Sequence, residues 1–313
     1  MTRFRRLSLI SLVTTFILVA IGGLVRATQS GLGCGDDWPD CKGRLAPALA
    51  TRAEIIEFSH RFVAMIVGFM ILALAVMAWR HHRDNPRIFR PTLGALALVI
   101  FQALLGALVV IQELKAETVV IHLVGSMGVL ALLVYIVGSA SVADGSLRVE
   151  ADPALSLRAG LVALSVLALL MVGSYVSSYP DRPPAWPLID GRLIPDLSNV
   201  VFLVHFVHRA MVVVVGALLF AFCLQVIKQK DAHPLGAKFA HAALGFFVVE
   251  TLIGAANVWT DLNSVIVTLH LLLGGLIWSS LVALAVVTQP ALESIAERHP
   301  VRRADPVLEG GRP

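Results

Sequence analysis

The sequence predicts an all-α integral membrane protein with eight transmembrane helices, arranged as two pseudo-symmetric four-helix bundles. Hydrophobic residues make up 57% of the 313 residues and charged residues only 15%, and the mean hydropathy is +0.82. Such a chain is too apolar for the surface of a soluble domain. Eight of its stretches are long enough to cross a bilayer, which takes roughly 20 apolar residues. Finally, the chain repeats itself at a shift of 148 residues.

The predicted spans follow the apolar stretches in order. They cover about 7–26, 54–79, 92–112, 118–139, 158–178, 197–227, 238–258 and 263–288. The first resembles a signal peptide because arginines precede it, but its apolar part is longer than a usual signal core and lacks a clear cleavage site. We therefore interpret it as a retained helix. Four spans fall in an N-terminal half, 1–145, and four in a C-terminal half, 146–313.

The repeat is clearest at four histidines. His60 and His122 are 62 residues apart, and so are His208 and His270. In each half, the first histidine belongs to a His-Arg dipeptide and the second to a His-Leu dipeptide. The shared spacing indicates an internal duplication with one paired site in each half.

Basic residues indicate the orientation of the spans. With a cytoplasmic N-terminus, the cytoplasmic segments hold 16 of the 25 Lys and Arg residues, as the positive-inside rule requires. These are Arg3, Arg5, Arg6, Arg80, Arg83, Arg87, Arg90, Arg148, Arg158, Lys228, Lys230, Lys238, Arg298, Arg302, Arg303 and Arg312. We expect a multi-pass protein of the inner (cytoplasmic) membrane with both termini in the cytoplasm. The net charge of +4 reflects this topology, and we find no patch for binding nucleic acid.

The histidines suggest ligation of heme. Ligand-type side chains inside a span are costly, and they usually mark a function or meet a partner in the bundle. Four-helix bundles build cofactor sites from facing helices, and two imidazoles form a natural axial pair for a heme iron. Zinc or copper is less attractive because each pair lacks a third or fourth ligand in an obvious position. A hydrogen-bonded structural role is the alternative for any single histidine.

Residues beside the histidines extend this site. Arg61 and Arg209 each follow a ligand candidate; they are suited either to binding a heme propionate or to snorkelling to the external interface. Glu57 lies one helical turn before His60, and the shift of 148 residues places His205 at the matching position. Glu57 could serve as a base or stabilise positive charge on a substrate, or it could be a boundary residue wetted at the surface.

Other polar residues divide between the loops and the helices. Cys34 and Cys41 lie in the first external loop, where an oxidising compartment permits a disulfide; two free thiols and a metal clip are the alternatives. We expect Cys223 to pack within its helix. Gln102 and Glu250 occupy equivalent positions, and we expect them to form hydrogen bonds within the bundle without contacting substrate.

In this order the motifs resemble those of the heme A synthase family, integral-membrane enzymes of cytochrome oxidase assembly. The resemblance covers essentially the whole chain. The most specific motifs are G-G-L-V-R-A-T-Q-S-G-L-G-C-G-D-D-W-P-D-C from Gly22 to Cys41, E-F-S-H-R from Glu57 to Arg61, His122-Leu123, F-V-H-R from Phe206 to Arg209, and His270-Leu271.

The resemblance implies oxidation of the C8 methyl of heme O to the formyl of heme A, through successive hydroxylations with oxygen from water. It assigns the substrate heme to the N-terminal half, with His60, His122 and Glu57. It assigns an electron-relaying heme B to His208 and His270 in the C-terminal half. It also maps a loop disulfide onto the two external cysteines. This chain departs from the family pattern by having His205 beside His208, which leaves a ligand exchange there open.

Two other classes of protein compete with this interpretation. A non-enzymatic diheme electron carrier of the cytochrome b type explains the histidine pairs equally well, but not the asymmetry at Glu57 or the cysteine loop on one half only. A transporter would favour broken helices and polar sites at the midplane, and the sequence shows neither. The sequence leaves open the electron acceptor, the oligomeric state (a homo-oligomer is compatible with it) and delivery of heme O by a heme O synthase.

Overall fold

The computed structural model describes residues 2–44, 51–178 and 185–292, and these form eight long α-helices. The helices are α1 (Arg3–Ala27), α2 (Arg52–His81), α3 (Pro86–Ile111), α4 (Ala116–Ala143), α5 (Pro153–Val176), α6 (Val200–Lys228), α7 (Pro234–Trp259) and α8 (Ser264–Val287). All eight are long and apolar enough to cross a membrane, so the predicted fold class and number of spans are confirmed. Four arginines used to predict the orientation, Arg298, Arg302, Arg303 and Arg312, lie outside the described residues.

Three of the helices that begin before their predicted spans start with proline. Helices α3, α5 and α7 start at Pro86, Pro153 and Pro234, four to six residues before the predicted starts. Proline suits the first helical position because that position has no intrahelical partner for an N–H. The side chains of Asn85 and Asp152 cap two of these helices by accepting backbone N–H bonds. The predicted spans begin after these first turns, which the proline at each helix start marks.

Helix packing divides the chain into two closed rings of four. In the first half α1 packs on α2, α2 on α3, α3 on α4, and α4 back on α1; α5 to α8 repeat this order in the second half. The halves meet through contacts of α1 with α8, α4 with α5, and α4 with α8. If α1–α4 are exchanged with α5–α8, the contact of α1 with α8 becomes that of α5 with α4, and the contact of α4 with α8 is unchanged. This packing is consistent with two pseudo-symmetric bundles.

The two ends of the molecule are packed differently. We call the end at which α2, α4, α6 and α8 begin the histidine end, and the opposite end, where α1 begins, the terminal end. The largest fully buried side chains gather toward the terminal end, among them Ile71, Leu74 and Leu133 in the first half and Leu219 and Leu284 in the second. The terminal end is therefore a solid core, which leaves the histidine end free to enclose a cavity.

Matching turns connect the last two helices of each half. Between α3 and α4, Glu113 and Leu114 adopt positive φ angles of 52° and 62°; between α7 and α8, Asp261 and Leu262 adopt 52° and 60°. Consecutive non-glycine residues rarely occupy this left-handed region. Because both turns use the same unusual conformation, each fixes the register of its helix pair in a similar way.

A buried hydrogen bond and a close contact at a glycine join α4 and α8, where the halves meet. Trp278 on α8 donates its indole N–H to the carbonyl oxygen of Met127 on α4, at 3.0 Å. Farther along the same interface, Gly138 on α4 faces Val286 on α8, and a Cβ atom at Gly138 would lie 2.6 Å from Val286 Cγ1. Small residues at such positions let transmembrane helices approach closely.

We expect Gly138→Ala to weaken the interface between the halves. The added methyl group meets Val286, a β-branched side chain with little rotational freedom, and overpacking of this kind costs roughly 1–3 kcal/mol. The midpoint of thermal unfolding of the detergent-solubilised protein measures the loss. Gly160→Ala is the matched control, since a Cβ atom there has no neighbour within 4 Å. Equal midpoints for the two variants would contradict this view of the interface.

Candidate functional site

The four repeated histidines occupy equivalent places in their helices. His60 and His208 are each the ninth residue of their helices, and His122 and His270 are each the seventh. At 1.5 Å per residue, all four lie about 9–12 Å from the helix starts at the histidine end. Within each half, the two imidazoles are close enough to interact electrostatically. The structure therefore brings together both pairs that the sequence predicts.

A glycine on a neighbouring helix packs against each imidazole. Gly22 on α1 faces His60, and Gly173 on α5 faces His208; a Cβ atom at either glycine would lie 3.1 Å from Cε1 of the ring. In this way the helix backbone itself forms a wall beside the imidazole. Any larger residue would press on the ring.

The second histidine of each half has the same kind of neighbour. A Cβ atom at Gly254 on α7 would lie 3.1 Å from Cε1 of His270, and one at Gly106 on α3 would lie 3.6 Å from Cε1 of His122. Each ring thus packs against the backbone of a neighbouring helix, which limits its orientations.

All four histidines line one cavity. Its volume is about 2930 Å³, and it extends from α2 and α3 of the first half to α6 and α7 of the second. Pockets for drug-sized ligands are roughly 300–1,000 Å³, so this cavity has room for more than one large ligand. The two histidine pairs therefore do not lie in two sealed sites.

The polar atoms of the site fit a planar iron macrocycle. The Nδ1 atoms of all four histidines are buried and have no directional hydrogen bond among the described residues. Each pair supplies two nitrogen ligands, which is the number that a heme iron takes from a protein on its two axial sides. Over the ranges that the structure describes, no three His, Cys, Asp or Glu side chains cluster as a metal site would need. The axial roles remain predictions that this geometry favours.

A disulfide-bonded loop covers the first histidine pair. Cys34 and Cys41 are joined, which confirms the predicted disulfide. Glu57 Oε2 accepts a hydrogen bond from the backbone N–H of Cys34 at 2.8 Å, and Glu57 Oε1 pairs with the Arg61 guanidinium at 2.5 Å. Glu57 is only 3% exposed, so it is not a boundary residue wetted at the surface. It lines the cavity and also holds the loop.

Arginine contacts complete the attachment of the loops. Arg61 donates to the carbonyl oxygens of Asp37 and Asp40 at 2.8 and 2.7 Å. Its side chain is 14% exposed, so it is held against the loop and does not snorkel. In the second half Arg209 donates to the carbonyl oxygens of Ala185 and Pro187, both at 3.1 Å. Propionate binding by the two arginines stays a prediction.

Sequence reasoning missed one contact between the halves. Arg26, near the end of α1, donates to the carbonyl oxygen of Ser177 at the end of α5, at 2.8 Å, and it lines the cavity. The arginine lies within the motif from Gly22 to Cys41, but its partner belongs to no motif. Only the packing of α1 and α5 at the histidine end reveals the pair.

Equivalent polar residues on α3 and α7 behave differently. Glu250 Oε1 lies 3.0 Å from His270 Nδ1, so Glu250 contacts a proposed ligand. Gln102 is 7% exposed, and neither polar atom of its amide has a hydrogen-bond partner among the described residues. The prediction of a hydrogen bond within the bundle is therefore wrong for Gln102. Its side chain packs against Gly125 on α4 instead.

Comparison with known proteins identifies the family. Residues 5–282 match the family model COX15-CtaA, described as cytochrome oxidase assembly protein. The chain belongs to this family. It is 28% identical to the heme A synthase of Alkalihalophilus pseudofirmus over 92% of this chain and 99% of that protein. It is 26% identical to the heme A synthase of Shouchella clausii over 82% of this chain and 87% of that protein.

Shorter but closer similarity covers part of the chain. The heme A synthase of Bacillus pumilus is 39% identical over 142 residues, which are 41% of this chain and 45% of that protein. All three relatives are heme A synthases by name, and two of them align over most of both chains. Membership of the family thus agrees with the resemblance noted in the motifs.

We expect Gly254→Ala to impair heme binding in the C-terminal half. The new methyl group pushes on Cε1 of His270 and turns the ring, and disturbing the support of a ligand typically costs about 10–100-fold in affinity. The heme-to-protein ratio of the purified protein, titrated with heme, measures the effect. Gly245→Ala on the same helix is the control, because a Cβ atom there has no neighbour within 4 Å. Equal heme affinities in the two variants would show that Gly254 does not position His270.

Proposed function

We propose that this protein is a heme A synthase, which oxidises the C8 methyl of heme O to the formyl of heme A. The observation that carries the proposal is the single cavity of about 2930 Å³ lined by all four repeated histidines, in a chain of the cytochrome oxidase assembly family. The similar proteins named heme A synthase support the same activity.

The two halves are assigned different tasks. The N-terminal half, with His60 and His122, takes the substrate heme; the C-terminal half, with His208 and His270, takes a heme B. The halves differ where this division requires it. The first has a disulfide-bonded loop fastened to Glu57, whereas the second has His205 at the position that matches Glu57. His205 lines the cavity and is available as an alternative ligand.

Each step of the reaction releases electrons that must leave the site. Converting a methyl group to a formyl group with one water releases four electrons and four protons in total. Heme B at the second site supplies one-electron relay chemistry when bound. Because both histidine pairs line the same cavity, the protein places no sealed barrier between substrate and relay. The electrons pass finally to an acceptor outside this chain.

The residues of the site bind and orient the substrate. His60 and His122 supply axial nitrogens, and the glycine walls fix the directions of the two rings. Arg61 and Arg209 carry guanidinium groups beside the first histidine of each pair and suit heme propionates. Glu57 is the carboxylate nearest in sequence to these ligands that lines the cavity. We assign to it the acceptance of a proton or the stabilisation of positive charge that develops on the substrate.

The bilayer is part of the proposed mechanism. Heme O is a lipid-soluble substrate, and a cavity between spanning helices can receive it from the membrane without an aqueous channel. We place the protein in the cell membrane with both termini cytoplasmic, so that the histidine end faces the external side. Many cavity-lining side chains are apolar, such as Phe69 and Leu72 on α2. Delivery by a heme O synthase and formation of a homo-oligomer fit this arrangement.

Extraction of pigments tests the function directly. Hemes are extracted with acid acetone, and separated by chromatography, from cells that make this protein together with a source of heme O. We expect heme A with the intact protein and none with His60→Ala or His208→Ala. Heme B alone, in the presence of heme O, would instead identify a diheme electron carrier.

We expect Glu57→Gln to retain heme but to lose conversion of heme O. Glutamine keeps an oxygen that can accept the N–H of Cys34, whereas it removes the negative charge. The matched control is Glu54→Gln, which changes another buried carboxylate of α2, one that pairs with Lys42 of the loop and does not line the cavity. Heme content and heme A yield are measured together. Full turnover by Glu57→Gln would remove the charge of Glu57 from the mechanism.

A further inference from the structure

One carboxylate distinguishes the second histidine pair from the first. Glu250 Oε1 lies 3.0 Å from Nδ1 of His270, and the side chain of Glu250 is 14% exposed. Among the described residues, His270 is the only member of the four repeated histidines with a carboxylate oxygen within 4 Å. The other Glu250 oxygen, Oε2, is buried without a hydrogen-bond partner. The carboxylate is therefore directed toward the imidazole alone.

The equivalent position in the first half carries no charge. Gln102 stands 148 residues before Glu250, and its amide packs against Gly125 on α4. On α8, Gly274 is a neighbour of Glu250, whose Oε1 would lie 3.6 Å from a Cβ atom there. The two side chains thus extend from equivalent places on α3 and α7 toward α4 and α8. Only the second reaches a histidine.

A carboxylate beside the outer nitrogen of a ligand histidine has a known physical effect. It accepts the ring N–H, fixes which nitrogen faces the metal, and makes the imidazole a stronger electron donor. Stronger donation stabilises the ferric state over the ferrous state and so lowers the reduction potential of the iron. In this structure the distance from His270 Nδ1 to Glu250 Oε1 suits a hydrogen bond, but the angle between the two groups does not. If a heme iron were held at Nε2 of His270, the Nδ1 N–H would be free to donate a hydrogen bond to Glu250.

We propose that Glu250 is a positioning residue that lowers the reduction potential of the heme held by His208 and His270, while Gln102 leaves the potential at the first site higher. This inference rests on the proposed function, since it requires a heme in each half. A more oxidising iron at the substrate site suits removal of electrons from a methyl group. A relay iron of lower potential is readily reoxidised by the outer electron acceptor, and this reoxidation keeps it ferric and able to take electrons from the first site.

Redox titration of the purified full-length protein with bound heme tests the proposal. The optical spectrum is followed against potential, and His60→Ala and His208→Ala assign each component to one half. We expect Glu250→Gln to favour the ferrous state of the C-terminal heme by tenfold or more, which is about 59 mV for one electron. The N-terminal component should stay in place. Glu250→Asp keeps the carboxylate and should restore most of the shift.

Two further variants sharpen the test. Glu117→Gln removes an exposed cavity-lining carboxylate in the first turn of α4 that contacts no repeated histidine within 4 Å, and it should shift neither potential. Gln102→Glu places a carboxylate at the equivalent position of the first half. We expect it to lower the potential of the N-terminal heme and to leave the C-terminal one unchanged.

The possible outcomes distinguish a failure of the tuning role of Glu250 from a failure of the proposed function. An unmoved C-terminal potential in Glu250→Gln, with heme bound, would overturn the tuning role alone. Loss of that heme in Glu250→Gln would also overturn it, and would assign Glu250 to heme retention instead. If the variants His208→Ala and His270→Ala have the same heme spectrum as the wild-type protein, the protein has no second heme site. That result would refute the proposed division of the halves together with the role of Glu250.

Discussion

Hydrocarbon solvates an imidazole poorly, and this constraint shapes the histidine end of the molecule. Four imidazoles lie inside spanning helices, and none of their Nδ1 atoms has a directional hydrogen bond among the described residues. A protein can tolerate such groups where they face a cavity or a ligand instead of lipid. The packing follows from that need: buried side chains fill the terminal end, whereas the histidine end surrounds a common cavity.

Glycine solves the geometric part of the problem. An imidazole offered as an axial ligand must be held in one orientation. The backbone of a neighbouring helix contributes to this at each ring, through Gly22, Gly106, Gly173 and Gly254. A glycine brings that backbone to contact distance without a side chain of its own. The ring direction therefore depends on helix packing, and helix packing depends on the solid core at the terminal end.

The sequence predicts the parts of this site that repeat. Hydropathy gives eight spans, and the equal spacing of the two pairs places His60 beside His122 and His208 beside His270. Periodicity carries no information about which loop atom a side chain will meet. The bond from Cys34 N–H to Glu57 and the contact of Arg26 with Ser177 depend on how loops and helix ends fold back, so neither could be predicted. The predicted spans omit the first turns of α5 and α7, which begin at Pro153 and Pro234, because hydropathy marks the apolar stretch and not the proline at which a helix starts.

The two halves differ in which charged residues lie beside their histidine pairs. Around the first pair, Glu57, Arg61 and the disulfide loop form a connected set of contacts at the histidine end. Around the second pair, His205 stands at the position that matches Glu57, and a different carboxylate, Glu250, lies beside His270. A duplicated bundle with identical environments would hold two equivalent hemes. The different placement of the carboxylates in the two halves makes the two histidine pairs inequivalent. That inequivalence is what an enzyme needs if one heme is to be oxidised and the other is to carry the electrons away.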